Sequence, residues 1–170
     1  QDDHLIISLT SHLEPRMVFQ TRVYYHGRSI FKGQYDDGGV FMPDSLPKVR
    51  FATISEPSFA RMWWPCKDQP SDKATVTVNA TVPEGLTAVS NGLLVKTERH
   101  DHAATFSWST HYPISTYLVS IAAAPYAEIR DTYVARNGTR MEMTYYVYPE
   151  DSAKAQADFQ NTGAILSFFA

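Results

Sequence analysis

From Ala74 to Val82 the chain reads Ala-Thr-Val-Thr-Val-Asn-Ala-Thr-Val, a strict alternation of apolar and polar residues. A period of two puts Val76, Val78, Ala80 and Val82 on one face of an extended strand, and Thr75, Thr77, Asn79 and Thr81 on the other. A helix would scatter the same residues around its circumference, so this segment demands a sheet with one covered face. Pro83-Glu84-Gly85 then turns the chain, because proline presets φ and glycine accepts positive φ. Further strands are expected at Met17–Tyr25, Val49–Ile54, Leu86–Ser90, Leu93–Thr97, Thr105–Ser109, Thr116–Ala123 and Arg140–Tyr148. Asn91-Gly92, a favoured type I′ pair, predicts a hairpin between Leu86–Ser90 and Leu93–Thr97. No strand–helix–strand alternation is visible, so the sheets are read as mainly antiparallel.

Only the last segment reads as helical. Pro149-Glu150-Asp151-Ser152 supplies start signals, and Ala153, Ala157, Gln160, Ala164 and Phe168 fall on neighbouring turns. Gly163 weakens that helix by about 1 kcal/mol relative to alanine. The expected organisation is a β-domain over residues 1–137, followed at 138–170 by a strand and helix that open a second domain. Gln1-Asp2-Asp3-His4 runs straight into apolar Leu5, Ile7 and Leu9, and the chain stops after Phe168-Phe169-Ala170 on an apolar helical face. Those ends are read as the ends of a piece of a longer protein.

The 170 residues are 44% hydrophobic and 19% charged, enough apolar material for a sizeable core. A formal charge of −3 without a basic block argues against nucleic acid or an anionic membrane as partner. No apolar run reaches the roughly 18 residues that a membrane span needs. The single cysteine, Cys66, excludes an internal disulfide. Asn79-Ala80-Thr81 and Asn137-Gly138-Thr139 match the glycan acceptor triplet, a short pattern often met by chance. None of this specifies a compartment.

Between Ile54 and Val76 lies a long loop holding Pro57, Pro65, Pro70 and the adjacent Trp63-Trp64. Connections of that length are uncommon and, when ordered, are disproportionately functional. The usual catalytic motifs are absent: there is no His-Glu-x-x-His zinc helix, no phosphate loop and no Gly-x-Ser-x-Gly elbow. His100-Asp101-His102 is read as a polar turn rather than a metal site. Asp36-Asp37-Gly38-Gly39 lacks calcium-loop spacing and is read as a hairpin tip. Cys66 has no neighbouring histidine to activate it. Glu56 remains. As the residue before proline it is expected in extended backbone, and Trp63, Trp64 and Pro65 would fix its direction. A carboxylate held that way can take an ammonium group through charge-assisted hydrogen bonds. A surface ion pair with Arg61 is the alternative.

At these residues the chain resembles the N-terminal domain of the aminopeptidase N family of zinc metallopeptidases, in a bacterial-type form. The matching positions are Glu56-Pro57, Ala60-Arg61, Trp63-Trp64, Pro65-Cys66, Asp68, Pro70 and Lys73-Ala74-Thr75, in order and spacing. The likeness continues through Val82–Gly92 and Tyr112-Pro113-Ile114-Ser115-Thr116-Tyr117-Leu118-Val119, and more loosely through Leu5-Ile6-Ile7 and Tyr25-His26-Gly27. It implies an antiparallel β-saddle or sandwich that packs on a thermolysin-like catalytic domain, of which 138–170 would be the opening strand and helix. It implies that Glu56 anchors the free α-amino group of a peptide substrate, while Arg61, Trp63, Trp64, Pro65, Cys66, Asp68 and Pro70 shape the loop. Zinc is implied for the full-length parent, on motifs this chain does not contain, so the fragment is expected to bind no metal, carry no catalytic residue and be inactive alone. Its implied partners are the peptide and the catalytic domain. Two positions depart from the family pattern. Ile54 stands where many members have glutamine, and Gln69 where an acidic residue is common.

Two other readings stay open on sequence. The chain could belong to a noncatalytic relative that serves as an interaction scaffold. It could also be an independent β-sandwich module, for instance for carbohydrate, with Trp63 and Trp64 as an exposed platform.

Overall fold

The computed structural model describes residues 5–9, 12–27, 39–41 and 51–169. Among these residues the architecture is mainly antiparallel β, as expected, with helix at the C-terminal end. A four-stranded sheet has the order β1 (Gly39–Phe41), β2 (Phe51–Ile54), β7 (Ile121–Ala124), β4 (Thr87–Ser90). A three-stranded sheet places β6 (Ala103–Ser109) between β3 (Thr77–Pro83) and β5 (Leu93–His100). A ribbon joins β8 (Ala127–Val134) to β9 (Arg140–Val147). Every pairing is antiparallel.

The central strand shows why the pattern works. Along β6, Ala104, Phe106 and Trp108 are buried. The intervening residues turn to the other face, where Thr105 Oγ1 meets Thr81 Oγ1 at 2.9 Å and Ser109 Oγ meets Thr77 Oγ at 3.3 Å. The buried set packs on Ala88 of β4 and Ala123 of β7, so the two larger sheets share one core. Alanine-rich β7 leaves room for the rings of Phe106 and Trp108. Burying a large side chain is worth about 2–3 kcal/mol and a hydrogen bond about 1 kcal/mol, so apolar contact rather than the hydroxyl ladder sets the register. The Trp108 indole also donates to the Ala88 carbonyl at 3.0 Å, which spares it from being buried without a partner.

Several expectations are corrected. Met17–Tyr25 forms no strand, and Val18 is 97% exposed. Alternation supplies only half of a strand; the other half is a backbone partner, and none pairs here among the described residues. Asn91-Gly92 does not close a hairpin, because β4 pairs with β7 while β5 pairs with β6. The pair instead carries the chain from one sheet to the other. Thr116–Ala123 is split by a 3₁₀ turn at Thr116–Leu118 before β7 begins. Strand β8 is absent from the expected set, because Asp131 falls on the face of Ala127, Ile129 and Tyr133 and breaks the alternation; Arg130 and Glu128 pair along its other face at 2.8 Å. Residues 137 and 138 lie in the turn between β8 and β9.

The helix divides into α1 (Ser152–Phe159) and α2 (Thr162–Phe169), parting at Gln160-Asn161 just before Gly163. Its covered side is also not the expected one: Ala153, Ala157, Gln160, Ala164 and Phe168 are all exposed, whereas Ser152, Ala155, Phe159, Thr162 and Leu166 are half-buried. The reason is Phe159, whose ring stacks on Tyr145 of β9 with centroids 4.4 Å apart. The ribbon in turn meets the core through Tyr146, edge-on to Trp108 at 6.3 Å.

Candidate functional site

The long loop leaves β2 at Ser55, which is only 5% exposed. Its carbonyl accepts the Phe59 amide at 2.9 Å, closing a turn over residues 56–59. Its hydroxyl oxygen accepts the Trp63 indole N–H at 2.9 Å. Next comes a 3₁₀ turn, Ala60–Met62, with Ala60 fully buried. Glu56 stands on this braced turn and is exposed, and its bond to Pro57 is cis. Among the described residues Arg61 does not pair with it. The Arg61 guanidinium lies 3.9 Å from Asp68, whose side chain is 5% exposed.

Asp68 is the hub of the loop. Its Oδ2 faces the Arg61 amide at 3.5 Å, and its Oδ1 accepts the Thr116 hydroxyl at 3.4 Å. Beside it, the Ser115 hydroxyl donates to the Pro70 carbonyl at 2.7 Å. Ala74 and Ile114 exchange two backbone hydrogen bonds of 3.1 and 2.9 Å. The segment from Ile114 to Thr116 is therefore a strap across the base of the loop. Sequence reasoning did not assign Ser55, Ser115 or Thr116 this bracing role. The hydroxyls flanking Glu56 and preceding Tyr117 were visible, but nothing local told which acceptor they would meet.

The remaining loop residues divide by environment. Trp63 and Trp64 are half-buried, with rings tilted 51° to one another and centroids 6.0 Å apart. They do not form the flat exposed platform of a carbohydrate module. The Trp64 indole N–H is buried without a hydrogen-bond partner among the described residues. Burial, and secondarily the Asp68 carboxylate, push the Cys66 thiol up to about 11, so it is not a nucleophile at neutral pH. Behind the loop, a cleft of about 1130 Å³ separates Trp63, Trp64 and Cys66 from the segment around Tyr25 and His26. Glu56 is not part of its wall. Pro65 and Pro70 are exposed, and Pro65 also lines the cleft.

His100 ends β5, and Asp101 and His102 form the exposed turn to β6. Residues 36–38 of the acidic Asp36-Asp37-Gly38-Gly39 run lie outside the described residues. Among the described residues no group of three or more His, Cys, Asp or Glu side chains could hold a metal ion. The donors presented by the described residues therefore do not fit a zinc site.

The two stretches quoted from the sequence, 55–75 and 112–119, thus meet in space through Asp68–Thr116 and Pro70–Ser115. The family described as the Peptidase M1 N-terminal domain matches residues 1–118. The chain belongs to that family. It is similar to glutamyl aminopeptidase of Rattus norvegicus, 34% identical over 132 residues, covering 76% of this chain and 13% of that protein. It is also similar to aminopeptidase N of Bos taurus, 26% identical over 180 aligned residues, covering 99% of this chain and 18% of that protein. The chain spans less than a fifth of the length of these two relatives.

Among solved structures, a Deinococcus radiodurans M1 zinc metallopeptidase bound to a Tyr-Ser-Ala substrate superposes with a TM-score of 0.56 at 24% identity, covering 65% of this chain and 25% of that one. Legionella pneumophila aminopeptidase A, in complex with aspartic acid, gives 0.62 at 18% identity, covering 68% and 14%. At such identities the structural likeness speaks for the fold. The M1 N-terminal fold is thus shared, and no helix among the described residues is long and apolar enough to cross a membrane.

Proposed function

We propose that this chain is the substrate-anchoring β-domain of a zinc-dependent aminopeptidase, and that Glu56 binds the free α-amino group of the peptide. The observation that carries this reading is the contrast within one loop. Asp68 is buried and engaged, whereas Glu56 is exposed and makes no ion pair among the described residues. A carboxylate on a braced turn loses little freedom when it meets an ammonium group, so its charge-assisted bond is used efficiently. The names and family of the relatives support the reaction class: hydrolysis of N-terminal residues from peptides. Zinc would be held by residues outside this chain, which supplies a wall of the site but no chemistry. In this reading residues 1–137 form the anchoring domain and 138–170 open the catalytic one.

The test is Glu56→Gln in the intact enzyme. Losing a charge-assisted bond should raise KM roughly ten- to hundredfold for peptides with a free N-terminus. The preference over N-acetylated peptides should narrow by the same factor. If that preference is unchanged, Glu56 is not the anchor.

A further inference from the structure

The turn between β8 and β9 carries a feature that the aminopeptidase reading leaves unused. Asn137-Gly138-Thr139 is an Asn-x-Thr triplet with glycine in the middle. All three residues are exposed. The turn is closed locally, by the Ala135 amide to the Thr139 carbonyl at 2.8 Å and the Gly138 amide to the Ala135 carbonyl at 2.9 Å. Asn137 Oδ1 accepts the Thr139 amide at 3.0 Å, which fixes the carboxamide beside the threonine. Its Nδ2 makes no hydrogen bond among the described residues. Gly138 has φ +84°, and a side chain built there would meet no heavy atom within 4 Å, so the tip stands in open space.

The second triplet, Asn79-Ala80-Thr81, sits differently. Asn79 is exposed but lies within β3, opposite Ser107 in the ladder. The Thr81 hydroxyl is engaged with Thr105 at 2.9 Å, and Ala80 packs against the core. Once β3 has paired with β6, an enzyme could not lift this triplet out without breaking the sheet. The tip at Asn137 needs no unfolding.

We infer that Asn137 is an attachment site for an N-linked glycan. The co-reactant is an oligosaccharide carried on a lipid diphosphate. Nδ2 of Asn137 forms a bond to the anomeric carbon of the first sugar, the bond from that carbon to the diphosphate oxygen breaks, and the diphosphate leaves with the electron pair. One Nδ2 proton is released, and the side chain remains a carboxamide. A glycan there extends into solvent and displaces no packed contact. The inference is independent of any role for Glu56.

The experiment is to secrete the intact protein from cultured insect cells, treat it with a peptide-N-glycosidase, and map the asparagines converted to aspartate. Conversion at Asn137 in most molecules is expected, together with loss of that glycan in both Asn137→Gln and Thr139→Ala. Thr139→Ser, which keeps the hydroxyl, should retain it. A secreted protein with unmodified Asn137, or with the whole mobility shift abolished by Asn79→Gln alone, would overturn the proposal.

Discussion

The Trp63 indole N–H reaches back to the hydroxyl oxygen of Ser55 across 2.9 Å, tying the far side of the loop to the residue directly before Glu56. With the Phe59 amide on the Ser55 carbonyl, both oxygens of one buried serine are committed to the same turn. The exposed carboxylate therefore stands on a base that is closed from two directions.

Removing either end of that bond should loosen the turn without unfolding the sheets. Ser55→Ala and Trp63→Phe should each cost about 1 kcal/mol, and the double variant should cost clearly less than their sum, because both delete one interaction. Chemical denaturation of the four proteins measures the coupling. Full additivity would show that the bond contributes nothing.

Among the described residues no cluster of donors makes a zinc site. Titrating the purified chain with zinc should show no stoichiometric binding, and aminoacyl anilides should not be hydrolysed. Chelator-sensitive turnover by the pure chain would sink the proposed division of labour between this domain and the rest of the enzyme.

Cys66 should be slow to react. With its thiol held up to about 11, the thiolate population at pH 8 is two to three orders of magnitude below that of a free cysteine by rough proportion. The sign for stability follows from proton binding. Between about 9 and about 11 the unfolded chain releases the thiol proton while the folded chain keeps it, so stability falls as pH rises through that window. Iodoacetamide kinetics against pH test the first statement. Unfolding midpoints of the native chain and Cys66→Ala, compared across the same window, test the second.

The crossover at Asn91-Gly92 makes a paired prediction. Asn91 donates to the Leu118 carbonyl at 2.9 Å and accepts the Ser120 amide at 2.8 Å, so Asn91→Ala should cost about 1–2 kcal/mol. Gly92 has φ +88°, and a Cβ there would run into the backbone of Ser109 and Thr110. Gly92→Ala should therefore cost more, about 2 kcal/mol or above, since strain and collision add. Urea midpoints of the two variants decide the order.

The same dipeptide shows how far local chemistry reaches. Its glycine was expected at positive φ and is found there, yet the turn it serves is a passage between sheets rather than a hairpin. Turn propensity describes one residue's backbone. Which strand lies beside β4 depends on Ala88 packing under Phe106 and Trp108, residues that are remote in the chain. The helix gives a parallel case: its residues were legible, but its covered face is set by Phe159 meeting Tyr145.

The order of residues alone determined the β character, through period-two alternation whose one face must leave water, and the family, through Glu56-Pro57 to Thr75. It also singled out the exposed acid. Tertiary structure alone decided which strands are neighbours, that Met17–Tyr25 joins no ladder among the described residues, and that Ser115 and Thr116 reach across to clamp Pro70 and Asp68. Alternation and turn preferences act over a few neighbouring residues, whereas a clamp joins atoms separated by about forty-five residues or more, and only the packed core brings them together.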